Sequence, residues 1–493
     1  MTETRPLTFK QRMATKYKGI IPVITCGAGL FSDGYENGVI GDVNTILGIL
    51  YPVAYVDSPA SQNVSAIVFA GTVLGQLVFG YASDHWSRKN VMLIATVGLM
   101  LFAGLSASSY GAGGNIYGTF AALTVFRFFL GIFIGAEYPA GSVACAEATT
   151  ETPKGSRNFL FILFTNFCID FGFVVSAFVP LVLLWIFGLN HLEIVWRFSL
   201  ALGVIPPLSI FYLRLKLKEP EQFKRNTMRG TKTPWALCIR FYWKRLLAVS
   251  AIWFIYDFSS YAFTIYGSHI LTVIIPNGSL YESFGWNVVL NLFYLPGAFL
   301  GAYLSDKLGP KRTLALGVFL QSISGYIMAG LYGTLIHHIA GFVVLYGLFQ
   351  SFGEMGAGDN IGLLASKVSA TAVRGQFYGI AAASGKIGAF VGTYVFPIII
   401  RNAGGVKTVK GLQAPFWVSS SLSMFSAVIA VFCLPNISQM CIEEEDERFR
   451  AYLVSKGWDT SKLGVYEGES VTDLTTPESS ERPDGVKPSM PIK

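Results

Sequence analysis

Long apolar stretches recur along the whole chain, and each of them is long enough to cross a lipid bilayer as a helix. One crossing needs about 20 predominantly apolar residues. Only 14% of the 493 residues are charged, whereas about 25% is usual, so the chain lacks the charges that cover a water-soluble surface. This composition excludes a disordered chain, a disulfide scaffold and an ordinary cytosolic enzyme. It predicts an all-α polytopic membrane protein embedded in the lipid bilayer.

Twelve spans are predicted, six in each half of the chain. They lie near 18–41, 64–83, 91–110, 117–147, 158–187, 195–215, 246–274, 284–304, 313–335, 338–364, 373–400 and 414–435. The predicted regions are a cytoplasmic N-terminus (1–17), a six-helix bundle (18–215), a cytoplasmic central loop (216–245), a second six-helix bundle (246–435) and a cytoplasmic tail (436–493). The tail carries an acidic run, and we expect it to be solvated, with a regulatory tail as the alternative.

Basic residues indicate the orientation in the membrane. They concentrate before the first span and in the connections after the second, fourth, sixth and eighth spans. Because Lys and Arg are enriched in cytoplasmic loops, these connections and both termini are predicted to be cytoplasmic. The sequons at Asn63 and Asn277 then fall in outward loops, where we expect them to be glycosylated.

A short motif occurs twice, after the second span and again after the eighth. Residues 80–89 and 302–312 each combine a small residue and an aspartate with basic residues, and the matching positions are Asp84 with Arg88 and Asp306 with Lys311. Two ordinary cytoplasmic loops are the alternative interpretation. The duplication resembles the signature loop of the major facilitator superfamily.

That resemblance implies two pseudo-symmetric six-helix bundles that rock about a central cavity. It also implies that the duplicated loop is a latch between helices of one half, so Asp84, Arg88, Asp306 and Lys311 are expected to be gating residues. Arg127 on the fourth span is placed with them, since an arginine there is often structural across the superfamily.

Ionisable side chains inside the predicted spans are the main functional candidates, because burying a charge in lipid is costly. They are Asp33, Glu36, Arg127, Glu137, Asp170, Asp257, Glu354, Asp359 and Lys386, accompanied by the amides Asn37, Asn166 and Asn360. Carboxyl groups in an apolar cavity bind protons readily, and a buried lysine holds a phosphate as a point charge. The set therefore favours proton-coupled transport of an anion.

Enzyme chemistry is not supported by the motifs. Residues 384–387 are superficially similar to a phosphate loop, but Ile387 stands where Ser or Thr should bind magnesium. The sequence contains no placeable Ser/His/Asp set and no metal-ligand spacing, and its six cysteines are typical of small apolar residues in packed helices. We therefore expect no enzymatic activity, no cofactor, no metal and no nucleic-acid partner.

Three stretches are more specific than the superfamily. They are the W-x₃-D-x₃-Y pattern of Trp253, Asp257 and Tyr261, the segment 135–139, and the segment 383–389. All three resemble the fungal phosphate:proton symporters. The resemblance implies a phosphate site lined by Trp253, Asp257, Tyr261 and Tyr138, with Lys386 near the anion and a proton path through Asp33, Glu36 and Glu137. Asp170, four residues after Asn166, is a further proton-coupling candidate.

The tenth span departs from those symporters, because Gly356-Ala357-Gly358-Asp359-Asn360 replaces the expected Phe-Gly-Pro-Asn. On the fifth span Asn166 is the amide nearest to an expected glutamine. Stretches 32–35, 136–139, 191–193, 241–247, 256–258, 369–375 and 452–458 resemble instead the fungal transporters of glycerophosphoinositol and glycerophosphocholine. This resemblance implies a monomeric plasma-membrane proton symporter for glycerophosphodiesters.

The headgroup stays open at this point. Glycines on the tenth span leave room for a group larger than phosphate. Asp359 and Asn360 are placed in the substrate site with Asn166, where Asp359 accepts hydrogen bonds from inositol hydroxyls or attracts a choline cation. Inorganic phosphate symport and a receptor that binds without translocating are the alternative functions.

Overall fold

A computed structural model describes residues 19–153, 155–229, 231–275, 279–438, 441–461 and 463–464. The predicted N-terminal segment 1–17, the sequon Asn277 and the end of the tail lie outside the described residues.

Twelve long helices, α1 to α12, run through the described chain, and a shorter helix, α13, follows them. The first half comprises α1 (19–27, Ala28–Leu30 and Phe31–Leu50), α2 (Ala60–His85), α3 (Arg88–Ala107), α4 (Ile116–Glu137, Tyr138–Ser142 and Val143–Ala148), α5 (Arg157–Phe164 and Asn166–Phe187) and α6 (Leu192–Ala201, Leu202–Val204 and Ile205–Leu215). The second half comprises α7 (Trp235–Ile274), α8 (Leu280–Leu292 and Tyr294–Lys307), α9 (Pro310–Leu335), α10 (Ile339–Gly353, Glu354–Gly358 and Asp359–Lys367), α11 (Arg374–Asn402) and α12 (Val409–Cys433), with α13 at Cys441–Ser455.

Eleven of these helices, counted among the described residues, are long and apolar enough to cross a membrane. The helix not included is α1, which carries the acidic residues Asp33, Glu36 and Asp42 on its main segment. All three of these side chains are buried inside the protein rather than turned toward lipid. The polytopic all-α fold with two six-helix halves is thereby confirmed.

Three helix pairs make most of the contact between the two halves in the described chain. Helix α2 packs on α11, α1 packs on α7, and α5 packs on α8. Within each half the strongest packing joins α2 to α4 and α7 to α11. The central cavity lies where these pairs meet, so its walls come from both halves.

Helices α4 and α10 each contain one turn of π-helix, at Tyr138–Ser142 and at Glu354–Gly358. The two helices occupy equivalent places in the two halves. Wide turns of this kind change which side chains face inward, and they are frequent at functional sites. Tyr138 and Glu354, the first residues of the two turns, both line the cavity.

The structure moves the predicted boundary between the central loop and the seventh span. Helix α7 begins at Trp235, so residues 235–245 belong to it rather than to the central loop, which keeps only a short helix at Glu221–Asn226. Residue Tyr242 explains the extension, since its ring packs against Phe377 and Phe449 and gives this part of α7 a buried side.

The first part of the tail is not solvated as expected. Helix α13 packs against both halves through Glu443, which pairs with Arg157 at 3.2 Å, and Glu445, which pairs with Arg245 at 2.7 Å. The acidic run therefore serves as a set of ion-pair partners for basic residues of the bundle.

Candidate functional site

A cavity lies at the centre of the bundle, between the two halves. Water-sized molecules can occupy about 50 Å³ of it, which is room for a few waters. Its polar and aromatic lining includes Tyr138, Asn166, Asp170, Trp253, Tyr256, Asp257, Tyr261, Glu354, Asp359 and Lys386. The halves are therefore closed around the cavity, and they must separate before it can hold an organic phosphate.

Close approach of α7 and α11 builds one wall of this cavity. Gly388 and Gly392 of α11 lie against the backbone carbonyl groups of Phe254 and Phe258, where an added methyl group would collide. The absence of side chains at these positions lets the two helices touch. The contact brings Lys386 within 3.4 Å of the Asp257 carboxylate.

Lys386 is the centre of a polar group that we call the lysine cluster, made of Lys386, Asp257, Tyr261, Tyr138 and Asp33. The Lys386 ammonium donates to the Tyr261 hydroxyl and lies 3.7 Å from the centre of that ring. Tyr138 and Tyr261 both donate to Asp33, the latter at 3.2 Å. The cluster joins α1 and α4 of the first half to α7 and α11 of the second.

A second group, the carboxyl cluster, consists of Asp170, Glu354 and Asp359 around the Asn166 amide. The Asn166 nitrogen lies 3.3 Å from Asp170, 2.9 Å from Glu354 and 3.0 Å from Asp359. An amide nitrogen has two hydrogens, so it cannot donate to three carboxylates at once. Tyr256 donates to the other oxygen of Glu354. Sequence reasoning named Glu354 as a buried charge but gave it no place in the site.

Four residues predicted for the site or the proton path lie outside the cavity lining: Asp33, Glu36, Glu137 and Asn360. Asp33 is joined to the lining by the hydroxyl groups of Tyr138 and Tyr261. Both oxygens of Glu137 are held by Arg214, the second at 2.6 Å. Arg214 is fully buried and sequence reasoning missed it, although an arginine inside an apolar span was a visible signal. Asn360 bonds instead to Ser305 and to backbone carbonyl groups of its own helix.

Glu36 also lies away from the cavity lining. Its carboxyl oxygens have no hydrogen-bond partner among the described residues, and only 1% of the residue is exposed. Arg127 reaches the backbone oxygens of Val64, at 2.8 Å, and of Glu36, at 3.3 Å. It thus lies between α1, α2 and α4 in the middle of the first half, far from the duplicated loops with which it was grouped.

The duplicated loops connect the two halves, and the first copy also joins helices of one half through Arg88. Asp84, on α2, accepts the backbone N–H groups of Gly375 and Gln376 at the start of α11, both at 2.8 Å. Negative charge at a helix N-terminus is favourable because the first N–H groups have no partner in the helix. Arg88 in turn contacts Asp84 at 3.1 Å.

The second copy repeats this arrangement with the halves exchanged. Asp306, on α8, accepts the N–H groups of Asn158 and Phe159 at the start of α5, both at 3.2 Å. Lys311 lies half-buried in the first turn of α9. We call these contacts the Asp84 latch and the Asp306 latch, and the end of the bundle that carries them the latch face.

Two residues that sequence reasoning did not single out, Glu147 and Arg374, add ion pairs at the latch face. Glu147 of α4 accepts from Arg88 at 2.8 Å and from Arg374 of α11 at 3.0 Å, and all three are fully buried.

At the opposite end of the bundle, the sequon residue Asn63 is exposed but lies in the first turn of α2 rather than in a loop.

Comparison with known proteins agrees with this architecture. The family model described as "Sugar (and other) transporter" matches residues 21–225 and 216–449. The proton:xylose symporter XylE bound to 6-bromo-6-deoxy-D-glucose has the same fold, with a TM-score of 0.73 at 18% identity over 88% of this chain and 99% of that one. This likeness concerns the fold alone.

Sequence relatives are more specific. The chain is 52% identical to the glycerophosphocholine permease GIT4 of Candida albicans over 91% of this chain and 84% of the permease. It is 50% identical to the major glycerophosphoinositol permease GIT3 of the same organism, over 94% and 86%. Identity to an inorganic phosphate transporter of Oryza sativa is 26%, over 87% and 92%. The chain therefore belongs to the sugar (and other) transporters of the major facilitator superfamily and, within them, to the group of glycerophosphodiester permeases.

Proposed function

We propose that this protein imports glycerophosphodiesters across the plasma membrane together with protons, as a monomer that alternates access between its two halves. The names of its close relatives support the substrate class. The observation that carries the proton coupling is the composition of the closed cavity.

Among the described residues, five carboxyl groups and a single amine meet in and beside this cavity. The carboxyl groups are Asp33, Asp170, Asp257, Glu354 and Asp359, the amine is Lys386, and each of these residues is at most 3% exposed. Ionised carboxylates this close and this buried repel each other and any phosphate. An anion therefore enters a site whose carboxyl groups carry protons, and release of those protons on the other side drives the anion out.

The membrane potential also requires that protons accompany the anion. Entry of one negative charge is opposed by about 2.3 kcal/mol per 100 mV. A singly charged phosphodiester needs one proton for neutral transport and two protons to be driven inward by the potential. The cavity holds more than enough carboxyl groups for either stoichiometry.

The latch face is proposed to be cytoplasmic, together with both termini. The basic residues that indicate this orientation in the sequence lie in connections at that end, and α13 joins them there. Asn63 at the opposite end, and Asn277, are then the outward sequons available for glycosylation.

The proposal is tested by uptake of labelled glycerophosphoinositol, glycerophosphocholine and inorganic phosphate in cells that have no other carrier for them, with pairwise competition. We expect uptake of at least one diester, with weak competition by phosphate. Uptake of phosphate alone would overturn the substrate class.

Proton coupling is tested separately in proteoliposomes that contain a pH-sensitive dye. We expect the diester to acidify the interior, and a protonophore to abolish its concentrative uptake. Uptake without acidification would show a uniporter, and binding without uptake would show a receptor.

A further inference from the structure

A groove runs along the outer surface of the second half, between the ends of α7 and α11 that lie at the latch face. Residues within 235–250 and within 373–384 line it, and we call it the α7–α11 groove. Water-sized molecules can occupy about 490 Å³ of it, against about 50 Å³ in the central cavity. The groove shares no lining residue with that cavity, so the transport mechanism does not account for it.

The groove exists because the two helices separate toward the latch face. Nearer the middle of the bundle they touch through Gly388 and Gly392. Toward the latch face the buried rings of Tyr242 and Phe377 lie between them, with their centres 5.9 Å apart. These two rings form the floor of the groove and keep the helix backbones apart.

The open side of the groove faces the hydrocarbon of the bilayer. The groove lies within two apolar spans, Trp235–Gly267 and Thr371–Asn402, and exposed apolar side chains such as Ile239 and Ile380 form its edges. Residues 235–250 cover about 24 Å of helix axis, which is about the thickness of one leaflet with its headgroups. Water in an apolar groove is unfavourable, so the occupant comes from the bilayer.

Basic side chains stand beside the end of the groove that lies nearest the latch face. The Lys244 ammonium lies 5.7 Å from the ring centre of Trp243, which lines the groove. Arg240 lies one turn earlier on the same face of α7, and both basic residues are exposed. Neither forms an ion pair with a described residue, whereas their neighbour Arg245 is paired with Glu445.

The charge of the lining itself completes the pattern. In the described chain no charged side chain lines the groove, so an acyl chain meets an apolar wall along its length. Trp235 and Trp243 lie toward its latch end, where tryptophan is typical of the level of lipid headgroups. An apolar channel with two unpaired cations at its headgroup end is complementary to a lipid whose headgroup is negatively charged.

We propose that the α7–α11 groove binds an anionic phospholipid, with an acyl chain along the groove and the headgroup at Arg240 and Lys244. The two cations favour this lipid over a sterol and over zwitterionic phosphatidylcholine. The inference rests on the proposed function only for the side of the membrane. The latch face is proposed to be cytoplasmic, and the cytoplasmic leaflet is the one that carries anionic lipids.

The site is tested with the purified full chain in phosphatidylcholine nanodiscs, by quenching of tryptophan fluorescence with brominated phosphatidylserine. Trp235 and Trp243 line the groove, so a brominated acyl chain that binds there quenches them. We expect a component that saturates at low mole fractions of phosphatidylserine. Brominated phosphatidylcholine should give only the linear quenching that random contact with lipid-facing tryptophans produces.

Two variants separate the headgroup contact from the groove. Arg240→Gln combined with Lys244→Gln should raise the half-saturating mole fraction about 30-fold, because each cation near the headgroups contributes about a factor of five. Ser250→Phe fills the groove without adding a tryptophan and should remove the saturable component. The matched control, Arg401→Gln combined with Lys410→Gln, changes an exposed arginine and lysine at the opposite end of the bundle and should change nothing.

Three results would overturn the assignment. Equal saturable quenching by brominated phosphatidylcholine would show no headgroup selectivity, displacement of phosphatidylserine by the same mole fraction of cholesterol would show a sterol site, and an unchanged half-saturation point in the double variant would remove the two cations from the site. The melting temperature of each variant in phosphatidylcholine alone shows whether it is folded. If Ser250→Phe melts earlier than the unmodified protein, the double variant decides. None of these measurements involves transport, so they stand apart from the uptake assays that test the proposed function.

Discussion

The substitution Asp84→Asn should open the latch face as a whole, including the Asp306 latch, which does not touch the substituted residue. Asp84 is 2% exposed and accepts two backbone N–H groups of α11 while it pairs with Arg88. Asparagine keeps one acceptor oxygen and turns an amide group toward the second N–H. Hydrogen bonds to charged groups are worth about 1.5–3 kcal/mol each, and a buried donor without a partner adds a similar cost.

We therefore expect the closed arrangement to lose about 3 kcal/mol relative to the open one. Since about 1.4 kcal/mol is a factor of ten, the opening equilibrium should rise about 100-fold. Arg88 remains paired with Glu147, so the variant should still fold.

Amide hydrogen exchange measures this opening. The informative amides are those of Asn158 and Phe159 at the Asp306 latch, because they do not touch Asp84. If the two halves move as rigid bodies, these amides should exchange about 100-fold faster in Asp84→Asn. The matched control Asp57→Asn, on an exposed aspartate, should leave them unchanged. Faster exchange confined to Gly375 and Gln376 would refute the rigid-body reasoning.

Three further predictions concern the helix contacts and ion pairs. Asp257→Asn should abolish uptake at nearly normal membrane abundance, because the amide cannot pair with Lys386; normal uptake would remove Asp257 from the site. Gly388→Ala should cost about 1–3 kcal/mol of stability through overpacking and so lower the melting temperature of the purified protein. The control Gly330→Ala, which has open space around it, should not lower the melting temperature. Equal melting temperatures of the two variants would contradict the close α7–α11 contact. Glu137→Gln should cost about 3 kcal/mol or more of stability by leaving Arg214 buried without a full partner; loss of proton coupling in an equally stable protein would instead support the predicted proton path.

Helix positions were predictable because lipid imposes a length and a polarity on each span, and eleven of the helices meet that requirement. The start of α7 and the docking of α13 were not predictable on the same grounds. Both depend on tertiary contacts, such as that of Tyr242 with Phe449. Counting apolar residues along the sequence does not predict such contacts.

The residue types of the candidate site were predictable from the sequence, but its division into a lysine cluster and a carboxyl cluster was not. Asp257 and Lys386 come together because α7 and α11 touch through glycines that the sequence shows. Tyr138 and Tyr261 then meet at Asp33 of α1. The carboxyl cluster depends on the π turn of α10. A local change of helical register alters which face carries Glu354, and no periodicity in the sequence signals it.

We propose that the number of hydrogen bonds within an ion pair, rather than burial, distinguishes structural charges from functional ones. Glu137 and Asp257 look alike in the sequence, as single carboxylates inside apolar helices, and both are nearly inaccessible. Arg214 holds both oxygens of Glu137, so a ligand gains nothing by entering that pair. Lys386 contacts Asp257 at a single distance of 3.4 Å and is shared with the Tyr261 hydroxyl. We propose that a phosphate takes the ammonium from Asp257 while a proton takes the place of the ammonium on the carboxylate, so that anion binding and proton uptake are linked at one residue.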